Sequence, residues 1–252
     1  RATKAALPAR GFHPGYLEAF PESFFDRVDN RQPVWVPWYT CHKIMAGLLD
    51  MHQCCGNPQA LDVLLKIADW VKFRVDRLSV EQMQAALELE HGGMSEVMAN
   101  LYAVSGNPDH LRLARAFDHR RVFDPLARGE DNLNGLHANT QIPKIIGAAR
   151  IYELTGEQRY CDIAKCFWDN VAMHRSYAIG GHSDSEHFFP RDQFASHVGA
   201  ETCETCNTYN MLKLTRHLFA WQPDAGKMDF YERALFNHIL ASIDPGDGRT
   251  CY

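Results

Sequence analysis

The sequence has no run of lysine or arginine long enough to track a phosphate backbone. Its net charge of −5 comes from interspersed acidic and basic residues. Both features argue against a nucleic-acid partner. No apolar stretch approaches the length of a membrane span, which argues against a membrane-spanning role. The first ten residues hold no hydrophobic leader segment, and that leaves the compartment open. Eight cysteines are present, but across 252 residues they form no close framework of the kind that staples small secreted domains. Cys41, Cys54, Cys55, Cys161 and Cys166 fall among apolar helical positions, where a thiol behaves as a small hydrophobe, so most are expected as reduced core residues. Strand signals are sparse. The hydrophobic content of 46% suffices for a sizeable core in one large domain or two small ones.

What is abundant is helical periodicity, and it repeats. Ile44 to Val71, Met94 to Phe117 and Ile145 to Val171 each read as an apolar helical run, a glycine turn and a second helical run. The turn glycines Gly56, Gly106 and Gly156 stand at a constant spacing of 50. A glycine after a helix supplies the left-handed C-terminal cap, and the prolines two residues after Gly56 and Gly106 open the next helix at its first turn. Eight residues before each turn stand Leu48, Met98 and Ala148, and eleven after it stand Ile67, Phe117 and Phe167, so the same face is expected to be buried each time. A fourth hairpin is expected from Asn207 to Ile243, turning near Pro223 to Gly226, while residues 121–135 and 176–200 read as long loops. Hairpin repeats of this length stack to share a core. An open solenoid and a closed α/α toroid both satisfy the pattern.

A toroid predicts that polar residues recur at one end of its inner helices. His42, His91 and His137 precede their turn glycines by 14, 15 and 19 residues, which places each near the start of a hairpin's first helix. A lone histidine there is usually a cap or a satisfied core residue, but three in similar register point towards one pocket. Trp35, Trp38 and Tyr39 precede His42, Glu88 and Glu90 precede His91, and Asn139 and Gln141 follow His137. Flat aromatic faces with planar amides and imidazoles suit a polar, ring-shaped ligand, and a sugar fits best.

Two stretches carry residues able to do chemistry. Glu186 lies in the loop Gly180 to His187, and a loop carboxylic acid at the mouth of a toroid is placed to protonate a glycosidic oxygen. Residues 199–211 put Cys203, Glu204 and Cys206 together, and thiolates beside a carboxylate suit zinc. Spacing favours Cys203 and Cys206 as ligands, since positions three apart share a helix face, whereas Glu204 and Cys206 converge only in irregular backbone such as a helix's first turn. Two buried thiols at a helix start remain the plain alternative. From residues alone, a sugar epimerase or isomerase using histidines as acid and base also fits, as does a non-catalytic helical-repeat module that binds carbohydrate or protein.

With these residues assembled, the chain resembles the β-L-arabinofuranosidases of glycoside hydrolase family 127 and the related family 146. The resemblance rests on Gly15-Tyr16-Leu17 through Phe20-Pro21-Glu22, Trp38 to Lys43, His91 to Glu96, His137 to Lys144, the Glu186 loop and Cys203 to Cys206, in that order. It implies an (α/α)6 toroid followed by β-sandwich domains, and retaining hydrolysis of terminal β-L-arabinofuranosides with zinc as cofactor. It further implies Glu186 as the acid/base, Glu204 and Cys206 as two zinc ligands, and His42, His91 and His137 as sugar contacts. The choice of Glu204 over Cys203 comes from the resemblance; spacing alone does not give it.

The family carries, well downstream of its Cys-Glu-Thr-Cys block, a Cys-Cys pair that supplies the remaining two zinc ligands, one of them the nucleophile, and no such pair lies between Cys206 and Tyr252. The expectation is therefore an all-α fold incomplete at both ends: a partial barrel over residues 1–243, the start of a β region over 244–252, and no turnover by these 252 residues alone.

Overall fold

The computed structural model describes residues 11–251; residues 1–10 of the expected barrel segment and Tyr252 of the expected strand lie outside it. The chain divides into two compact units, one ending at His119 and the other beginning at Arg120. Both are helical, and among the described residues β-structure is limited to isolated bridges.

The first unit contains α1 (Ser23–Asp29), α2 (Pro37–Cys55), α3 (Pro58–Val75), α4 (Val80–Ala86), α5 (Met94–Ser105) and α6 (Pro108–Ala116). Helices α2 and α3 form one hairpin and α5 and α6 the next; α2 packs on α5 and α3 on α6. The second unit contains α7 (Arg120–Ala127), α8 (Ala138–Thr155), α9 (Gln158–Ala172), α10 (Thr205–Trp221) and α11 (Ala225–Arg233), followed by a π-helical turn, Ala234–Leu240. There α8 packs on both α9 and α10.

The expected hairpins are thus present, and the glycine turns form as the repeat requires. Gly56, Gly106 and Gly156 cap α2, α5 and α8 with φ of 64°, 67° and 72°, a region that a side chain disfavours. Asn57 and Asn107 then accept from the backbone N–H groups of Ala60 and Asp109 at 3.2 and 3.0 Å, capping α3 and α6 ahead of Pro58 and Pro108.

Burial follows the predicted register with one exception. Met98, Ala148, Ile67, Phe117 and Phe167 are buried, but Leu48 is only half-buried, and in α2 the core stripe runs through Cys41, Met45 and Leu49. The same shift accounts for Cys54 and Cys55, expected in the core but exposed in the last turn of α2. The segment 121–135 is not wholly a loop. Pro125 marks it as irregular, yet α7 forms around it because Val122, Phe123 and Leu126 all bury from one short helix, which outweighs a single lost backbone hydrogen bond.

The core of the first unit is aromatic. Phe25 meets Trp38 and Trp70 edge-on with ring centroids 4.7 Å apart in each case, and Trp38 meets Phe117 at 5.3 Å. Such pairs contribute about 0.5–1.5 kcal/mol each beyond burial. Beside them Arg74, 2% exposed, reaches Asp26 at 2.7 Å and Asp29 at 2.6 Å, so its charge is not left unpaired. Trp38, read from the sequence as a candidate sugar platform, is consequently a core side chain; Trp35 is the exposed one.

Candidate functional site

In the first unit, the chain enters α5 through His91-Gly92-Gly93. Gly92 has φ +54°, and a side chain there would collide with the ring of His42, so this glycine lets the backbone lie directly against that imidazole. His42 sits within α2 with Tyr39 edge-on at 5.1 Å. His91 is 1% exposed; its ring lies 5.8 Å from Phe117 and its Nδ1 is 3.3 Å from the carbonyl of Leu89. His42 and His91 are thus neighbours through Gly92. His137 belongs to the second unit.

In that unit His137 is the N-cap of α8. Its Nδ1 accepts from the backbone N–H of Thr140 at 3.3 Å, so the lone pair is on Nδ1 and the ring proton on Nε2. Nε2 lies 3.4 Å from Glu186 Oε2. Capping and a functional role therefore coexist: one nitrogen serves the helix and the other faces the carboxylate. His187 adds an edge-on contact to His137 at 5.3 Å.

The Glu186 loop is built from the backbone outward. The N–H of Ala138 donates to the carbonyl of Glu186 at 2.8 Å, Phe188 donates to Leu136 at 2.9 Å, and Gly135 donates to Phe188 at 2.7 Å, stitching the loop to the start of α8. On its other side, Ser185 donates to Glu201 at 2.9 Å and Cys203 to Ser183 at 3.3 Å, which joins it to the segment entering α10. Asn207, on the first turn of α10, donates to Ser183 Oγ at 2.9 Å. The fully buried Arg175 clamps the loop's far end through Phe189 O at 2.7 Å, Asn170 O at 3.0 Å and Asp131 Oδ2 at 2.7 Å. His137, Glu186 and residues 201–204 are brought together by these bonds.

Strain collects in the same place. Ser183, Ser185, Glu186 and Cys203 all have positive φ, at 79°, 48°, 66° and 72°. Left-handed non-glycine residues cost on the order of 1–3 kcal/mol each and cluster where function fixes geometry.

Glu204 takes the N-cap position of α10, 6% exposed, and Cys206 lies in that helix's first turn, half-buried. This is the irregular first-turn setting in which the two can converge. Cys203, the ligand that spacing favoured, is packed under Gly181, and burial pushes its thiol up to about 11. Zinc takes four ligands, and among the described residues no group of three or more His, Cys, Asp or Glu side chains is gathered to hold a metal. These residues alone do not make a zinc site.

Below the loop lie side chains that sequence reading did not single out. His182 is fully buried and stacked on Phe188 at 5.7 Å; burial first, then the charges of His238 and Arg175, lower it to about 3, so it is neutral. His238, on the π-helical turn, pairs through Nδ1 with Thr208 Oγ1 at 2.8 Å. Asp184 pairs with His197 at 2.9 Å. The signal for His182, Asp184 and His197 was a density of histidine and aspartate in a segment read as loop, while His238 lay unmarked in the expected fourth hairpin.

A profile described as "Beta-L-arabinofuranosidase, GH127 catalytic domain" matches residues 7–252. A non-reducing end β-L-arabinofuranosidase of Bifidobacterium longum subsp. longum is 26% identical over 241 residues, an alignment covering 80% of this chain and 35% of that protein. Among solved structures, a GH127 β-arabinofuranosidase superposes with a TM-score of 0.70 at 22% identity, covering 88% of this chain and 37% of its own. A GH127 β-L-arabinofuranosidase of Geobacillus stearothermophilus T6 gives 0.63 at 17%, covering 89% and 39%. At these identities the superpositions establish the fold, and the chain spans little more than a third of each relative's length.

Proposed function

Because this chain belongs to the β-L-arabinofuranosidase family, glycoside hydrolase family 127, we propose that it carries the acid/base and sugar-contacting part of a retaining enzyme that removes terminal β-L-arabinofuranosyl residues. The observation that carries this reading is the pairing of Glu186 with His137 on a turn whose strain is held by the surrounding backbone. In this role the Glu186 carboxyl protonates the departing glycosidic oxygen, and as carboxylate it later takes a proton from the attacking water. The Nε2–H of His137 fixes the carboxyl's orientation, and for His42 and His91 a role as sugar contacts rests on the family resemblance alone.

Glu204 and Cys206 we assign as two of four ligands to a zinc ion, with the other two, one of them the nucleophilic thiolate, outside the described residues. Zinc, when bound, keeps a thiolate deprotonated near neutral pH. No helix among the described residues is long and apolar enough to cross a membrane.

The test is Glu186→Gln in the enzyme that carries this chain, assayed on methyl and p-nitrophenyl β-L-arabinofuranosides. Loss of the proton donor should cost about 10²–10⁴-fold on the methyl glycoside, whose leaving group needs protonation, and less on the nitrophenyl one. A variant within twofold of the parent on the methyl glycoside sinks the assignment.

A further inference from the structure

Residues 184–187 close a tight turn: His187 N–H donates to Asp184 O at 2.9 Å and Asp184 N–H to His187 O at 3.0 Å. Both central residues, Ser185 and Glu186, are left-handed. Hairpin turns with that geometry favour Asn-Gly, and Ser-Glu has neither residue's tolerance for it. Backbone bonds from Ala138 N–H to Glu186 O at 2.8 Å and from Ser185 N–H to Glu201 O at 2.9 Å hold the turn from either side, and a side-chain constraint adds to them.

The Asp184 carboxylate supplies one. Its Oδ1 accepts from Ser185 Oγ at 3.1 Å, and its Oδ2 meets His197 Nδ1 at 2.9 Å. His197 is itself fixed: its ring stacks on Phe189 with centroids 4.9 Å apart and planes 12° apart, and its carbonyl accepts from Tyr177 Oη at 2.7 Å and Thr202 Oγ1 at 3.2 Å. Phe189 is the residue whose carbonyl Arg175 holds. A continuous chain of contacts therefore runs from the buried Arg175 through Phe189, His197 and Asp184 to the residue preceding Glu186.

We propose that Asp184 and His197 form a positioning pair that keeps the Ser185–Glu186 turn left-handed and so holds the Glu186 carboxylate beside His137. The inference rests on Glu186 being the acid/base. Neither residue of the pair touches the reacting atoms in this scheme; both act through the turn.

Asp184→Asn, His197→Gln and the double variant Asp184→Asn/Ser185→Gly test it in the enzyme that carries this chain, with thermal unfolding to confirm that each is folded. A displaced acid should lower kcat/KM on the methyl glycoside by about 30-fold while lowering it on the p-nitrophenyl glycoside by no more than about threefold. Glycine at 185 adopts the required φ without a side-chain constraint, so the double variant should recover at least about threefold of the loss. Equal losses on both substrates, or no recovery by glycine, assign the pair a merely structural role and overturn the proposal. Full activity in Asp184→Asn and His197→Gln beside an inactive Glu186→Gln overturns it alone; a fully active Glu186→Gln overturns the acid/base reading and this inference together.

Discussion

Replacing Gly92 with alanine adds a single methyl group where backbone and His42 meet. That methyl would fall well inside van der Waals contact of His42 Nδ1 and Cε1 and 3.0 Å from Tyr39 Cδ2, on a residue with φ +54°. Two costs combine: about 1 kcal/mol for a left-handed residue with a side chain, and about 1–3 kcal/mol for forcing the ring from its packed position. The expected loss of stability is therefore about 2–4 kcal/mol.

Two controls separate the terms. Gly106→Ala carries the first alone, since φ is +67° and nothing lies within 4 Å, and should cost about 1 kcal/mol. Gly93→Ala carries a mild form of the second: its φ is −90°, and a methyl group would stand 3.2 Å from His42 Cδ2 and 3.3 Å from Glu96 Oε2. Urea unfolding measures all three, and titration with L-arabinose reads the functional half. Gly92→Ala should weaken sugar binding because it displaces His42, while Gly106→Ala should leave binding unchanged. If Gly92→Ala costs no more than Gly106→Ala, the packing of His42 on this backbone is refuted; if stability falls and affinity holds, His42 is not a sugar contact.

Two pH-dependent effects follow from buried groups. Burial is the largest influence on Glu18 and raises it from 4.5 to about 7, against smaller downward pulls from Cys41 and the Ala19 N–H. Between those values the unfolded chain ionises while the folded one keeps its proton, so stability is lost as pH rises. Allowing for partial exposure, Glu18→Gln should stabilise the protein by roughly 2 kcal/mol at pH 8 and by almost nothing at pH 4, and equal effects at both would contradict this. His182 works in the opposite direction: neutral in the fold down to about 3, it makes stability fall as pH drops below 6.5, by up to about 1.4 kcal/mol per pH unit. His182→Gln should flatten the acid limb of a melting-temperature profile between pH 6 and 4, and an unchanged slope would show that His182 does not set it.

The fold was legible wherever structure follows from local rules. A glycine cap depends on the residues of one helix end, so the spacing of Gly56, Gly106 and Gly156 announced three hairpins and their turns. Capping, which the sequence offered for His137 only as the ordinary alternative to a pocket role, is what its Nδ1 does. The errors arose where one local signal has two readings. Trp38 reads equally as a sugar platform or a core residue, and only packing against Phe25 and Phe117 decides. Residues 121–135 read as loop until the burial of Val122, Phe123 and Leu126 from one short helix is seen.

The site was legible as residue types but not as geometry. Sequence order alone determined that this chain belongs with carbohydrate-active helical repeats and marked Glu186, His137, Glu204 and Cys206 as residues of interest. Only tertiary structure decided that Ser185 and Glu186 adopt a left-handed turn, because no propensity favours that state and contacts from 13 and more residues away help to hold it, such as His197 to Asp184 and Ala138 to Glu186. It also decided that His137 presents Nε2 to the carboxylate, since the tautomer is set by a bond to Thr140 and the partner is delivered by a loop almost 50 residues downstream. Caps and periods are short-range properties of a chain; the placement of a proton donor depends on long-range closure, which sequence pattern does not encode locally.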